Sequence, residues 1–469
     1  MPVEAPSWLS AGDTSWQMTA ATLVGLMSVP GLVVLYGGVM QKRWSINSMM
    51  LTFAAFAVVL VVWCLWAFKM GFGSPFHGLS HSKTGFFANF IGKPGPVLGH
   101  SDLQHQGHIP LIGSFAFPQS SLVYFQFVFA GITPLLMLGS VLGRVNFKAW
   151  VPFVALWCTC IYTVNAFLIW GGGFFGHHGA LDYSGGYVIH LSAGVSGFIA
   201  AAVIGPRLQR DREIDAPNNV LMVAVGAGLL WLGWNGFNGG DPYAANMSAA
   251  AAILNTNLCT AVAFLVWVGC DYATGRKPGL ISGVNGMITG LVAITPAAGY
   301  VNGWGAIAIG VIASILVYFA LNYVSRLRPF RNVDDTLGVI YTHGFAGLAG
   351  GLLTGVFADA QMAVAYNQTS PGKLTSIGTA NGVIHGNWTL LKWQVLAALW
   401  VICFSAVGTF ILLKLVGLFV PLRMSEENME IGDIAEHGHE VYPSDVPSLG
   451  FPGGIPGVAP GAAAQPSTA

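Results

Sequence analysis

Apolar stretches recur along this chain at a length that matches a hydrocarbon core, roughly 20 residues each, and no other feature limits its folding as strongly. They fall at 17–40, 47–72, 119–143, 149–171, 187–206, 219–239, 246–271, 279–297, 302–325, 337–358 and 393–421, eleven in all. Charged residues make up only 8% of the chain against 54% hydrophobic, too few to cover a water-facing surface. Helices in lipid need no such cover, because their backbone polar groups are satisfied within each helix. The expected fold class is an all-α polytopic membrane protein of eleven transmembrane helices.

Loop charges set the orientation. The loops after stretches 1, 3, 5, 7 and 9 carry Lys42, Arg43, Arg144, Lys148, Arg207, Arg210, Arg212, Arg276, Lys277, Arg326, Arg328 and Arg331, whereas the opposite loops hold little beyond Lys83, Lys93 and Lys373. Basic loops stay cytoplasmic, which places the N-terminus outside and the C-terminus inside. No basic n-region or small-residue cleavage site accompanies the first stretch, so no cleaved leader is expected. Residues 1–422 read as the membrane domain and 423–469 as a cytoplasmic tail. The tail is acidic from Ser425 to Asp445, then rich in Pro, Gly and Ala, a composition expected to be disordered. A formal net charge of zero points to no nucleic-acid partner. The six cysteines lie in or beside apolar runs and form no CxxC, so they read as small buried hydrophobes. His77, His81, His100, His105 and His108 scatter through an outer loop at 74–118 without metal-ligand spacing, and no metal site or cofactor is expected.

Only His190 and His343 sit deep inside a stretch, where a polar group is costly unless partnered or functional. Both open the pattern HxxAGxxG, and Asp182 and Asp335 stand eight residues before them. Stretches 5 and 10 are then matching members of two five-helix halves, 17–206 and 219–358, with the helix at 393–421 left over. Because five is odd, the second half enters from the opposite face, the inverted-repeat arrangement with a site at the midplane. Small residues after each histidine let helices approach closely, and the two imidazoles are expected to meet. No further Asp, Glu, Cys or His completes a metal shell on those turns, whereas imidazole exchanges protons near neutral pH.

With these residues in view, the chain resembles the ammonium transporter (Amt/Mep/Rh) family, Amt branch, from about Asp13 to Tyr442. The motifs are PGLVVLYGG (Pro30 to Gly38), FQFVFAGITP (Phe125 to Pro134), WGGGFFGHHGALDYSGGYVIH (Trp170 to His190), WNGFNGG (Trp234 to Gly240) and DDTLGVIYTHG (Asp334 to Gly344). The resemblance implies a homotrimer with a pore in each subunit. It implies recruitment of NH4+ at Trp170 and Phe129 with Asp182 nearby, a gate of Phe129 and Phe237, and a pore lined by His190 and His343. Phe125 and Trp234 back the vestibule. Many family members carry a serine four residues after the gate phenylalanine; here Asp241 occupies it, and its carboxylate either strengthens cation recruitment or salt-bridges a loop residue. The implied activity is conduction of NH3 after deprotonation, not enzymatic catalysis. Rival readings are an ammonium sensor of the same fold and an Rh-like neutral gas channel. The segment MSEENMEIGDIAEHGHEVY (Met424 to Tyr442) resembles the family's regulatory tail, which a P-II-type signalling protein reads in many members. The absence of targeting segments suggests a bacterial inner membrane.

Overall fold

The computed structural model describes residues 5–77, 86–213, 216–362, 365–370, 373–376 and 381–442, without the side chains of 86–87 and 365–376. His81, Lys83, the Lys373 side chain and the tail after Tyr442, where disorder was expected, lie outside the described residues. The long helices are α1 (Ala11–Val39), α2 (Lys42–Phe72), α3 (Gln119–Leu138), α4 (Phe147–His177), α5 (Gly186–Ile204), α6 (Val220–Gly239) and α7 (Met247–Ala273). They continue with α8 (Leu280–Ile294), α9 (Gly303–Arg326), α10 (Ile340–Phe345 running into Ala346–Phe357) and α11 (Trp388–Gly417). A hairpin of β1 (Gln106–Ile109) and β2 (Gly113–Pro118) precedes α3.

Among the described residues nine helices are long and apolar enough to cross a membrane. The stretches expected at 279–297 and 337–358 come out shorter, as α8 and α10, and are not among the nine. Their ends are given over to other bonding. Beyond the end of α8, Thr295 O and Pro296 O accept from the backbone N–H of Ser184 (3.2 Å) and Tyr183 (3.1 Å), on the loop leading into α5. The loop leading into α10 is held the same way, Thr336 N–H donating to Ser140 O (3.2 Å) and Leu337 N–H to Gly139 O (3.1 Å), just past α3. Each half thus supports the loop that feeds the other half's histidine helix: carbonyls just past α8 and N–H groups just before α10 bond to another segment rather than extending their helices.

The two histidine helices cross at glycine. A Cβ on Gly194 would stand 2.4 Å from Gly344 N, and one on Gly347 would stand 2.5 Å from Gly186 O. No larger residue fits at either position, and that contact sets how near the imidazoles come. Of the six cysteines expected to be buried, Cys158 and Cys259 are, Cys64 and Cys270 are partly so, and Cys160 and Cys403 are exposed on apolar helix flanks, where lipid would cover them.

After Arg423 the tail folds back as two short helices, α12 (Glu426–Ile431) and α13 (Asp433–His437). Asp433 accepts from the N–H of Ile46 and Asn47, both at 2.8 Å, and so caps the first turn of α2 from a distant part of the chain. Arg43 donates to the carbonyls of Met429 and Glu430 and pairs with Asp211, while Arg210 pairs with Glu430 at 2.5 Å. Burial pushes the Asp433 carboxyl up to about 6, against the pull of its N–H donors. The docked tail therefore holds a proton more firmly than a freed one. Asp433's contribution to docking is complete below the ordinary carboxylate range and is lost as pH rises through about 6. Asp433→Asn keeps an acceptor but cannot ionise, so it is expected to remove this pH dependence. Protease cleavage of the tail on either side of that pH measures it, and an unchanged dependence in the variant would assign the effect to another group.

Candidate functional site

His190 and His343 each sit in a wider, π-type turn at the start of a helix, Gly186–Leu191 in α5 and Ile340–Phe345 in α10. Such turns are uncommon and rotate side chains out of the regular register. The imidazoles meet, with Nδ1 of His190 3.2 Å from Nδ1 of His343 and the rings tilted by 18°. His190 is fully buried, and its Nε2 has no hydrogen-bond partner among the described residues. Trp234 stacks on its ring at 5.3 Å and is itself held by a 2.9 Å bond from Nε1 to Thr295 Oγ1.

Above the pair stand the two phenylalanines of α3 and α6. Phe129 and Phe237 lie 4.4 Å apart between centroids, and Phe237 is 5.9 Å from His190. Both are fully buried. Outward of them Trp170 meets Phe129 edge-on at 6.2 Å and stacks on Phe72 at 6.5 Å. Phe125 packs 4.8 Å from Phe129 and 5.9 Å from Tyr243, which in turn rests on Phe115 of the outer hairpin at 4.7 Å. On the His343 side of the pair a cavity of about 770 Å³ opens, lined by His343, Thr342, Tyr36, Tyr341, Asp335 and Arg331.

Asp182 does not face this row. Its carboxylate accepts four backbone N–H bonds, from Gly185 (3.1 Å), Gly186 (2.6 Å), Tyr187 (2.9 Å) and Val188 (3.0 Å), capping the first turn of α5. Its carbonyl accepts from Trp170 Nε1 at 2.7 Å, so one residue fixes both the histidine helix and the outer tryptophan. Asp335 repeats the cap on α10 with Val339 (3.1 Å) and Ile340 (2.9 Å).

Asp241 sits just past the end of α6. No Lys or Arg pairs with it among the described residues; its partner is the Ser184 hydroxyl, which also reaches Phe237 O at 2.9 Å. The sequence reading did not single out Ser184. Its one signal was its place two residues after Asp182 in the motif. Among the described residues no three His, Cys, Asp or Glu side chains converge.

A bundle of helices long and apolar enough to cross a membrane, with a row of aromatic rings running to two buried imidazoles and a cavity beyond them, defines a polytopic membrane protein with a polar pair in its core. The chain belongs to the Ammonium Transporter Family, which it matches over residues 15–442. It is 47% identical over 442 residues to ammonium transporter 2 of Arabidopsis thaliana, covering 94% of this chain and 90% of that one. To ammonium transporter 3 member 2 of rice, Oryza sativa subsp. japonica, it is 46% identical over 446 residues, covering 93% and 90%. The crystal structure of Saccharomyces cerevisiae Mep2 matches with a TM-score of 0.74 at 30% identity, covering 90% of this chain and 89% of that one. These relatives are plant and fungal proteins, and they give the expected bacterial inner membrane no support.

Proposed function

We propose that this protein recruits NH4+ at Trp170 and Phe129, with the Asp241 and Asp182 carboxylates nearby, removes its proton at the gate and conducts NH3 past His190 and His343. The observation that carries this reading is the row Trp170, Phe129, Phe237, His190, His343, each ring within 6.2 Å of the next, ending at the inner cavity. An intact ion loses many kcal/mol of hydration in such a passage, whereas ammonia carries no net charge and loses far less. Potassium has no proton to give up and is rejected by the same pore. His190 Nε2, without a partner among the described residues, supplies a polar contact midway.

On this reading the chain crosses the membrane eleven times, α8 and α10 included, as two inverted five-helix halves plus α11. The reciprocal support of the α5 and α10 loops favours that arrangement. The basic loops put the N-terminus outside and the tail in the cytoplasm. Each chain holds a whole row, so each subunit of the homotrimer that the family resemblance implies would conduct by itself. The tail, docked beside Arg43 and Arg210, is where a P-II-type regulator would act.

Purified protein in liposomes, given an ammonium jump with internal pH and membrane current recorded together, tests the reading. A saturable response to ammonium and none to K+ is expected; equal responses to both would overturn it. Trp170→Ala removes a cation–π face worth about 0.5 to 2 kcal/mol. It is expected to raise the half-saturating ammonium concentration about 2- to 30-fold.

A further inference from the structure

We propose that Asp241 is the group that takes the proton from the recruited cation, with Ser184 holding the carboxyl in position; the proposal rests on the ammonium-conducting reading above. Asp241 lies just past the end of α6, four residues beyond the gate ring Phe237 and only 5% exposed. A buried carboxylate that serves structure is normally held by a cation or by several N–H donors. Asp182 has four such donors; among the described residues Asp241 has neither kind of partner beyond the Ser184 hydroxyl.

That hydroxyl fixes the proton count. Ser184 Oγ contacts two acceptors, an Asp241 oxygen and the Phe237 carbonyl, but it has one hydrogen to give. With Asp241 ionised, one of the two contacts sets acceptor against acceptor. With Asp241 protonated both are hydrogen bonds, the carboxyl O–H donating to Ser184 and the Ser184 O–H donating to Phe237 O. The site is therefore completed by a proton on Asp241, which Ser184 links to the backbone carbonyl of the gate residue Phe237.

Around the carboxyl are Asp182 and Tyr183 from the loop before α5, Tyr162 of α4, and Tyr243 on its own loop. Asp13 of α1 holds the N–H of Ala245 further along that loop. The neighbouring carboxylate disfavours a second negative charge, which again favours uptake of a proton.

The step balances. An N–H bond of NH4+ breaks, its electron pair stays on nitrogen, and an O–H bond forms on Asp241; a cation and a carboxylate become neutral ammonia and a neutral acid. Ammonia moves on past Phe237. The chain from Asp241 through Ser184 ends at a carbonyl oxygen, which accepts a hydrogen bond and cannot relay a proton. The acid is reset by giving its proton to water in the outer vestibule, and the proton stays on the side it came from.

Ammonium-driven internal alkalinisation in liposomes, measured over a range of external pH, tests this with Asp241→Asn, Asp241→Glu and Ser184→Ala. Asp241→Asn is expected to lower the rate about 100-fold at acidic external pH, the scale of a positioned proton acceptor. The deficit should shrink as alkaline pH supplies free ammonia that needs no deprotonation. Asp241→Glu should restore the parent's pH profile, and Ser184→Ala should show a smaller deficit of the same shape, which keeps the test open if the Asn variant does not accumulate. A raised half-saturating concentration with an unchanged pH profile would make Asp241 a cation ligand only and overturn the proposal. So would a loss that is uniform across pH, which marks a structural role. A parent protein with no ammonium-dependent response would instead sink the underlying reading.

Discussion

Asp182→Ala is expected to destabilise the protein by about 4 kcal/mol, taking the low end of about 1 kcal/mol for each stranded donor, and to abolish transport. Four buried N–H groups at the start of α5 lose their acceptor together. The turn they belong to carries His190, so slack there separates the imidazole pair. The same residue's carbonyl anchors Trp170, and the outer aromatic face shifts with it. Asp182→Asn should fall between: its one amide oxygen replaces part of the acceptor set, while its NH2 faces N–H groups that it cannot satisfy. Thermal unfolding in detergent, followed for parent and both variants, reads the stability term. Full stability in Asp182→Ala with transport lost would move Asp182 from holding the helix to acting on the ion.

Those dependencies explain which parts of the molecule could be read from its residues. Lipid demands apolar length, so the positions of the helices are written in hydropathy. The histidines stand out because ionisable groups are scarce in such a chain, and their shared HxxAGxxG frames put Gly194 and Gly347 at the crossing. Hydropathy overran at 279–297 because it counts Thr295 and Pro296 as apolar length, while their carbonyls are turned sideways to Ser184 and Tyr183. Ser184 itself was not legible. A helix-start hydroxyl is ordinarily a local backbone partner, and its contact with Asp241 joins residues 57 positions apart that no periodicity links. The capping of α2 by Asp433 is hidden for the same reason, since a tail carboxylate in an acidic run reads as a solvated charge.

His190→Asp is expected to admit potassium, the second large change. In the parent a bare cation beyond Phe237 meets ring faces and no carboxylate, and such surroundings return little of its lost hydration. A carboxylate at the buried position of His190 places a fixed negative charge in that passage. At 4 Å and an effective dielectric of 20 it attracts a cation by about 4 kcal/mol, which corresponds to about a thousandfold change. His343, whose Nδ1 lies 3.2 Å from that of His190, opposes the effect by taking a proton and pairing with the new carboxylate. Adding His343→Ala removes this neutralisation, so the double variant should pass more potassium than the single one. Potassium-evoked current in liposomes measures both. If potassium stays excluded in the double variant while ammonium still drives a response, the rejecting barrier is the Phe129–Phe237 pair rather than the imidazoles, and the pore's selectivity is set before the histidines are reached.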